Sequence, residues 1–295
     1  LDIKYFMKDN SGPGQSRNYG AAHSTGEYLL ILDSDVVLPT RYLAAIEDEL
    51  RREPADAFGG PDCAHESFTD KQKAISYAMT SFFTTGGIRG GKKKLDKFYP
   101  RSFNMGIRRD VYETLGGFSK MRFGEDIDFS IRIFKAGYSC RLFPKAWVWH
   151  KRRTDFRKFW RQVYNSGIAR INLYKKYPDS LKLVHLLPMV FTLGCAFLAF
   201  LFLLGIILFF VLPAGMPQAT GLGLSILALQ PLILYSFLIF ADATSKNNSA
   251  KIGILSIAAA FIQLTGYGCG FLEAWWKRCV LGKDIFSAYE KNFYK

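Results

Sequence analysis

Three long apolar stretches in the C-terminal third of the chain constrain its fold more than any other feature. They cover about residues 186–212, 222–241 and 252–273. Each reaches the roughly 20 residues that a helix needs to cross the hydrocarbon core of a bilayer. Buried helices of a soluble domain are the alternative, but they would leave three long uncharged helices unexplained. The sequence therefore predicts about three transmembrane helices.

The distribution of charge divides the chain at about residue 182. The formal net charge is +14, and residues 1–182 hold 32 Lys and Arg against 21 Asp and Glu, whereas 183–276 is nearly uncharged. This contrast predicts a polar catalytic or binding domain followed by a membrane region. The five cysteines form no C-x-x-C pair. Neither a zinc site nor a disulfide framework is indicated, which fits a reducing compartment.

A basic stretch with aromatic residues at helical spacing joins the two regions. Residues 151–176 hold nine Lys and Arg and one Asp, with Phe156, Phe159, Trp160 and Val163 spaced along one face. Beside a membrane segment, this pattern predicts an interfacial helix whose aromatic face meets acyl chains and whose lysines meet anionic headgroups. Nucleic-acid binding is the competing use of such charge, and the adjoining apolar segments disfavour it.

Positive residues around the apolar stretches predict their orientation. The loop between the first two stretches has no charge, whereas Lys246 and Lys251 follow the second. The positive-inside rule then places these lysines and the N-terminal domain in the cytoplasm. The third stretch conflicts with this, because crossing would put the basic tail 277–295 outside, so a re-entrant or interfacial third segment stays open. We expect a multi-pass protein of the cytoplasmic (inner) membrane with a cytoplasmic catalytic domain.

An apolar run that ends in two aspartates is the most informative part of the polar region. Residues 27–33 contain an apolar run of about six residues that predicts a fully buried parallel strand, because neither face alternates polar with apolar. The run stops at Asp33 and Asp35, and ligands bind at the carboxyl ends of strands in open α/β sheets. Two carboxylates there would hold Mg²⁺ or Mn²⁺, which in turn binds phosphate oxygens. The alternative is that one of them caps a helix near Thr40.

A second acidic cluster follows Gly124. Glu125, Asp126 and Asp128 fall in the first turn of a predicted amphipathic helix. The positive end of the helix dipole favours acidic residues there, whatever their function. The functional alternative is that one carboxylate faces the site as a general base. Both interpretations remain open on the residues alone.

Periodicity and turn residues predict alternating strands and helices through the rest of 1–150, which indicates an α/β fold. Strands are predicted at 1–6, 27–33, 56–61, 101–108 and 138–143, with an edge strand at 146–150 that ends on His150, and helices at 15–24, 40–53, 70–83 and 110–115. The Gly- and Lys-rich residues 86–94 predict a mobile surface loop, either a lid or an ordinary loop.

Two segments resemble motifs of the family 2 glycosyltransferases. Ser16-Arg17-Asn18-Tyr19-Gly20, with Leu32-Asp33-Ser34-Asp35 after it, looks like the segment leading into that family's Asp-x-Asp motif. Gly116-Gly117-Phe118 followed by Gly124-Glu125-Asp126 looks like its Glu-Asp motif. The resemblance covers about residues 1–170. It implies a GT-A (Rossmann-like) mixed sheet, a nucleotide-diphosphate-sugar donor, a divalent metal (Mn²⁺ or Mg²⁺) and inversion at the anomeric carbon.

The resemblance also implies roles for individual residues. Asp35, with Asp33 beside it, would engage the metal and the donor, and Asp126 would deprotonate the acceptor hydroxyl. The remaining implied contacts are His150 to the metal or diphosphate, Arg17 and Glu125 to the donor, and Asn104 to the sugar. For His150, an edge-strand histidine without a function is equally open.

The sequence departs from the family pattern in two ways. The family's first strand–helix units, which bind the nucleoside base, should precede Leu1, so we expect the chain to be an N-terminally truncated fragment. Processive synthases carry a Gln-x-x-Arg-Trp motif, to which the nearest approach here is Trp160-Arg161-Gln162. This difference disfavours a polymerase and favours the transfer of single sugars.

The leading prediction is a membrane-anchored inverting glycosyltransferase that acts on a lipid-linked or cell-surface glycan acceptor, as in synthesis of cell-envelope polysaccharide. One alternative is a polyprenyl-phosphate glycosyltransferase with the same donor site. Another is a non-catalytic membrane component of glycan assembly or export, which would tolerate the loss of Asp35 and Asp126. The predicted regions are a partial catalytic domain at 1–150, the interfacial helix at 151–182, transmembrane helices at 183–276 and a basic tail at 277–295.

Overall fold

The computed structural model describes residues 3–86, 98–121 and 123–283. The predicted loop at 86–94 therefore lies outside the described residues from position 87 onward. Within the described residues the chain forms two compact units. One holds the β-sheets, and the other is helical.

Short strands and helices alternate through the first half of the chain, and long helices form the second half. The strands are β1 (Tyr28–Leu32), β2 (Val36–Val37), β3 (Ala57–Gly59), β4 (Asp62–Cys63), β5 (Asn104–Arg108), β6 (Cys140–Leu142) and β7 (Val148–His150). The helices are α1 (Pro13–Ala22), α2 (Tyr42–Arg52), α3 (Asp70–Thr80), α4 (Phe82–Thr85), α5 (Arg109–Thr114), α6 (Glu125–Lys135), α7 (Phe156–Lys176), α8 (Leu187–Val211), α9 (Met216–Asn247) and α10 (Ala250–Trp275).

The sheet unit contains two mixed sheets. The larger has the order β1-β5-β3-β6, in which β5 is antiparallel to β1 and β3, and β3 is parallel to β6. The smaller has the order β2-β7-β4, in which β7 is antiparallel to β2 and parallel to β4. This mixed α/β domain, followed by helices apolar enough to span a membrane, confirms the predicted fold class.

Helices cover both faces of the larger sheet. Ala57 and Phe58 are successive residues of β3, so their side chains point to opposite faces. Ala57 packs in a buried cluster with Phe129 of α6, and Phe58 packs in another with Tyr42 of α2. Gly106 makes room for the Phe58 ring, since a Cβ there would lie 2.0 Å from a ring carbon. The sheet is therefore a middle layer between helices. Because its faces are covered, a ligand would bind at the loops along its edge.

Three strand predictions are wrong in detail. β1 pairs antiparallel with β5 instead of lying in a parallel sheet, and Leu30 is 37% exposed. The strand that ends on His150 is central in the smaller sheet and not an edge strand. Residues 3–6 form no strand. For the first two strands the partner is distant in sequence, so a short apolar run does not reveal its direction or its neighbours.

Three helices of the helical unit are long and apolar enough to cross a membrane. These candidate spans are Leu183–Val211, Met216–Asn247 and Ala250–Val280. The last of them meets α7 through backbone contacts at glycines. A Cβ on Gly167 would lie 2.1 Å from the carbonyl oxygen of Tyr267, and one on Gly270 would lie 2.0 Å from that of Tyr164. Helices this close leave almost no space for a side chain between them.

Helices α3 and α4 belong to the helical unit, although they interrupt the sheet unit in sequence. Ile75 and Met79 of α3 pack in a buried cluster with Phe159 and Val163 of α7 and with Ile252 of α10. The apolar face of α3 is therefore covered by α7 and α10. A domain boundary at residue 150 stays a prediction.

The same cluster corrects the expectation for α7. Phe159 is fully buried and Val163 is 4% exposed, so this part of the aromatic face packs against protein and not against acyl chains. Trp160 remains 37% exposed. A position for α7 at the membrane surface stays a prediction.

Candidate functional site

Pairing between β2 and β7 brings a histidine beside the second aspartate. His150 lies opposite Val36, the residue after Asp35, in antiparallel register. Nε2 of His150 is 3.4 Å from Oδ1 of Asp35. The imidazole also stacks on Phe103, with ring centroids 4.7 Å apart, which fixes its orientation. The ligand atoms of Asp33, Asp35 and His150 all lie within 4.8 Å of one another.

These three side chains fit a divalent cation. Carboxylates suit Mg²⁺ and Mn²⁺, and an imidazole in the set favours a transition metal such as Mn²⁺. Both carboxylates are more than 30% exposed, so they are open to a ligand from solvent. Nδ1 of His150 is buried without a hydrogen-bond partner, and Oδ2 of Asp62 is 3.6 Å away. A carboxylate behind a histidine is the arrangement that orients a metal-binding imidazole.

The alternative role of the aspartates, capping a helix, is not realised. The residue that begins α2 is Arg41, and no side chain caps this helix. Asp33 instead continues the strand pairing of β1, since its N–H donates to the carbonyl of Phe103 at 3.4 Å. Its carboxylate is left free to interact with α1.

Arg17 on α1 connects the two acidic segments. Its Nη2 donates to Oδ1 of Asp33 at 2.9 Å, and its Nη1 donates to Oε1 of Glu125 at 2.9 Å. The guanidinium also lies over the ring of Phe118, 5.4 Å from its centroid. Its side chain is only 16% exposed. A fork of donors fixed in this way sets the distance between the Asp-x-Asp and Glu-Asp segments.

Asn18 connects α1 by hydrogen bonds to the turn at Gly116 and Gly117, which precedes α6. Its Oδ1 accepts bonds from the Tyr112 hydroxyl at 2.6 Å and the Phe118 N–H at 2.8 Å, and its Nδ2 donates to the Phe118 carbonyl at 2.8 Å. Gly117, at φ +63°, allows the turn to approach this side chain. The sequence reasoning assigned no role to Asn18, although it stands next to Arg17 in the matching segment.

The three acids at the start of α6 have different environments. Asp128 is fully buried and pairs with Arg132 at 3.1 Å. Glu125 is bound by Arg17, and burial together with the neighbouring Asp126 charge raises its pKa. Asp126 is 15% exposed, and its Oδ2 is 3.3 Å from Nη1 of Arg101. Among the three, Asp126 has the most exposed side chain and the most exposed arginine partner.

Asn104 is buried inside the sheet unit. It is 2% exposed in β5, its amide donates to the carbonyl of Ala146 at 2.8 Å, and its oxygen accepts from the Tyr42 hydroxyl at 2.7 Å. Both polar ends are therefore used inside the sheet unit. The implied contact of Asn104 with the sugar stays a prediction.

Two further residues at the site were missed by sequence reasoning. Arg101 lies beside Asp126, and Asp62 lies behind His150. Neither belongs to a motif. Asp62 reaches the site because β4 pairs with the distant strand β7, and Arg101 forms a local bridge with Asn104 at the start of β5. No local signal in the sequence could have identified them.

Comparison with known proteins supports the motif resemblance. The family model described as "Glycosyl transferase family group 2" matches residues 28–241, which is more than half of the chain. The chain belongs to this glycosyltransferase family. The match extends from β1 through the site and into α9.

Individual relatives of this glycosyltransferase are distant. It is 28% identical over 173 residues to the probable glycosyltransferase YdaM of Bacillus subtilis, covering 56% of this chain and 40% of the relative. It is 29% identical over 155 residues to the succinoglycan biosynthesis protein ExoM of Rhizobium meliloti, covering 50% and 47%. A pre-mycofactocin glycosyltransferase of Mycobacterium tuberculosis is 27% identical over 181 residues, covering 60% and 38%. The chain thus spans less than half the length of these relatives.

A solved structure of a mannosyltransferase from Pyrobaculum calidifontis, in complex with GDP-Man and Mn²⁺, is also similar. It has 14% sequence identity and a TM-score of 0.46, and the match covers 92% of this chain and 68% of that one.

Proposed function

We propose that this glycosyltransferase transfers a sugar from a nucleotide-diphosphate-sugar donor to an acceptor hydroxyl, with inversion, at the cytoplasmic face of the inner membrane. The observation that carries the proposal is the double ion pair of Arg17 with Asp33 and Glu125. This contact joins the two segments that the family uses for catalysis into one site. Asp35, two residues after Asp33, and Asp126, directly after Glu125, then have separate roles.

Asp35, Asp33 and His150 are the residues that would hold a divalent cation. When bound, such an ion supplies Lewis acidity that neutralises charge on the departing diphosphate. Arg17 keeps the Asp33 carboxylate in place through a fixed, partly buried hydrogen bond. Asp62 lies behind the His150 ring, with Oδ2 3.6 Å from Nδ1, where a hydrogen bond would hold the ring toward a bound ion.

Asp126 is the proposed general base. Its carboxylate accepts the proton of the acceptor hydroxyl while that oxygen attacks the anomeric carbon, and the bond from this carbon to the diphosphate oxygen breaks. Attack opposite the leaving group inverts the configuration. Arg101 orients the Asp126 carboxylate by its contact at 3.3 Å. General-base assistance of this kind contributes roughly 10²–10⁴ in rate.

The proposed acceptor is a lipid-linked or cell-surface glycan. Three apolar helices support a membrane location, and the name of one relative refers to succinoglycan biosynthesis. Lys246 and Lys251, which lie between the second and third spans, support the cytoplasmic orientation of the site.

Turnover by the whole protein in its membranes tests this function. Membranes would be supplied with a panel of radiolabelled nucleotide sugars and extracted lipid-linked acceptors, with Mn²⁺ or with excess chelator. We expect one donor to label a lipid-extractable or polymeric product, with loss of labelling in Asp35→Asn and Asp126→Asn. The matched control is Asp48→Asn, an exposed acid on α2.

The outcomes separate the alternatives. If the labelled product carries the sugar on a polyprenyl phosphate, the acceptor group is a phosphate and not a hydroxyl. Full complementation of a deletion strain by both aspartate variants would reject catalysis and favour an assembly or export component.

A further inference from the structure

Helices α3 and α4 run along the candidate spans in a fixed order of contacts. At the start of α3, Asp70 pairs with Lys251 at 2.8 Å, beside the turn between α9 and α10. About two turns later, the Tyr77 hydroxyl donates to Oδ2 of Asp242 at 2.7 Å. After α3 ends, the Tyr235 hydroxyl donates to the carbonyl of Phe83 at 3.3 Å. The segment therefore runs antiparallel to α9, away from the charged α9–α10 turn.

These contacts give the distance along the axis of α9 between α4 and the charged C-terminal end of α9. Tyr235 precedes Asp242 by seven residues, which is about 10 Å along a helix with a 1.5 Å rise. The hydrocarbon core of a bilayer is about 30 Å thick, so one leaflet contributes about 15 Å. If the level of Asp242 marks the membrane surface, the carbonyl of Phe83 lies within the acyl region of that leaflet.

The composition of the segment changes along the same direction. Asp70, Lys71 and Lys73 lie in the first turn of α3, whereas residues 74–86 carry no charge. Phe82 is 69% exposed, although it is a large apolar side chain. Uncharged residues and an exposed aromatic ring beside a candidate span are typical of contact with lipid.

Polar side chains in the C-terminal part of the segment form hydrogen bonds within the segment itself. Three threonine hydroxyls donate to backbone carbonyls, namely Thr80 to Ser76 at 2.9 Å, Thr84 to Ala78 at 2.5 Å and Thr85 to Ser81 at 2.9 Å. The Ser81 hydroxyl oxygen accepts from the N–H of Phe83 at 3.2 Å. Backbone and side-chain polar groups in a hydrocarbon environment need such internal partners.

We propose that α3 and α4 form a half-membrane element, which enters the acyl region of one leaflet from the side of the α9–α10 turn and places Phe82 against lipid chains. The element rests on α9 and α10 crossing the membrane and is independent of the transfer activity. It adds a membrane-inserted surface to a part of the chain outside the three long apolar helices. Lipid is the occupant because Phe82 precedes the residue whose carbonyl binds Tyr235 of α9, and Leu234, next to Tyr235 on this candidate span, is also 60% exposed.

Spin-label accessibility in proteoliposomes tests the element. Single cysteines at positions 82, 71 and 234 would be labelled with a nitroxide in the full chain, after replacement of its five native cysteines. Collisions with oxygen, which concentrates in acyl chains, would be compared with collisions with a water-soluble nickel chelate. Positions 82, 71 and 234 are all exposed, so a label there disturbs little packing.

We expect the oxygen-to-nickel collision ratio at position 82 to be several-fold higher than at position 71 and close to that at position 234. A ratio at 82 equal to that at 71 would place α4 in water and overturn the proposal. Low collision rates with both reagents at 82 would mean that protein, such as a second copy of the chain, covers the ring, which also overturns it. A water-like ratio at 234 would reject the span itself and the proposal with it.

Discussion

Arg17 and Glu125 are 108 residues apart in the chain, yet their side chains meet at 2.9 Å. The same guanidinium holds Asp33 at 2.9 Å. A substitution at Arg17 therefore acts on both acidic segments together, although the residue need not touch the substrate itself.

Arg17→Lys tests this bridge. An ammonium group keeps the charge but lacks the planar fork that donates to two carboxylates at once. We expect donor affinity to fall by about 10-fold and the melting temperature to decrease. The measurements are a donor-binding titration and a thermal unfolding scan in detergent.

A double-mutant cycle with Glu125→Gln checks the assignment to the pair. The two substitutions should be less than additive, because each removes the same contact. Additive losses would show that Arg17 acts elsewhere.

Asp35→Asn tests the cation site. An amide lacks the anionic oxygen that a hard divalent ion requires, so Mn²⁺ binding and sugar transfer should both be lost by about 100-fold or more. Isothermal titration with Mn²⁺ and a transfer assay provide the two readouts. Full turnover of the parent protein in excess chelator would contradict the prediction.

Asp126→Asn and Asp128→Asn separate the base from a structural acid. Asp126→Asn removes a proton acceptor and keeps the shape, so transfer should fall by about 10² or more while donor binding persists. Asp128→Asn leaves Arg132 without its charged partner at a buried position and should lower the free energy of unfolding by about 2 kcal/mol. The helix dipole alone would account for only several tenths of a kcal/mol.

Kinetics and melting temperatures of these two variants form the comparison. Normal transfer by Asp126→Asn with an inactive but stable Asp128→Asn would reverse the assignment. Activity in both would remove α6 from the catalytic machinery.

Glu125→Gln should change the dependence of stability on pH. Burial and the Asp126 charge raise the pKa of Glu125 above its ordinary value of 4.5, so the folded protein holds this proton more tightly than the unfolded chain does. Stability from this group is present below pH 4.5 and is lost as pH rises through the folded pKa. The melting temperature of the variant minus that of the parent should therefore increase from pH 4 to pH 7. A constant or falling difference would contradict the raised pKa.

The sequence predicted those parts of the site that are encoded locally. Asp33 and Asp35 follow an apolar strand, and Asp126 lies in the first turn of an amphipathic helix, so periodicity predicted their places in the fold. Their roles rest on the family resemblance. The contribution of His150 depends on the pairing of β2 with β7, and local patterns do not specify such a partner. Asn104 lies between two motifs, and only its bonds to Tyr42 and Ala146 identify it as an interior residue.

Helix positions were predictable for a similar reason, whereas their partners were not. The spacing of apolar residues in 156–176, three or four positions apart, indicates a helix with one apolar face. It does not indicate whether lipid or another helix covers that face, since both are apolar. α10 covers it here, because glycines at 167 and 270 allow the two backbones to meet.

The backbone contact of α7 with α10 determines where the gene can be cut for expression. A fragment that stops at residue 182 keeps α3 and α7 but loses the helix that shields Ile75 and Phe159 from water. Such a fragment would precipitate or demand detergent, even though every long apolar helix has been deleted from it. A soluble version of the sheet unit instead requires removal of 68–86 and of everything after 151, with a short linker rejoining the flanking residues.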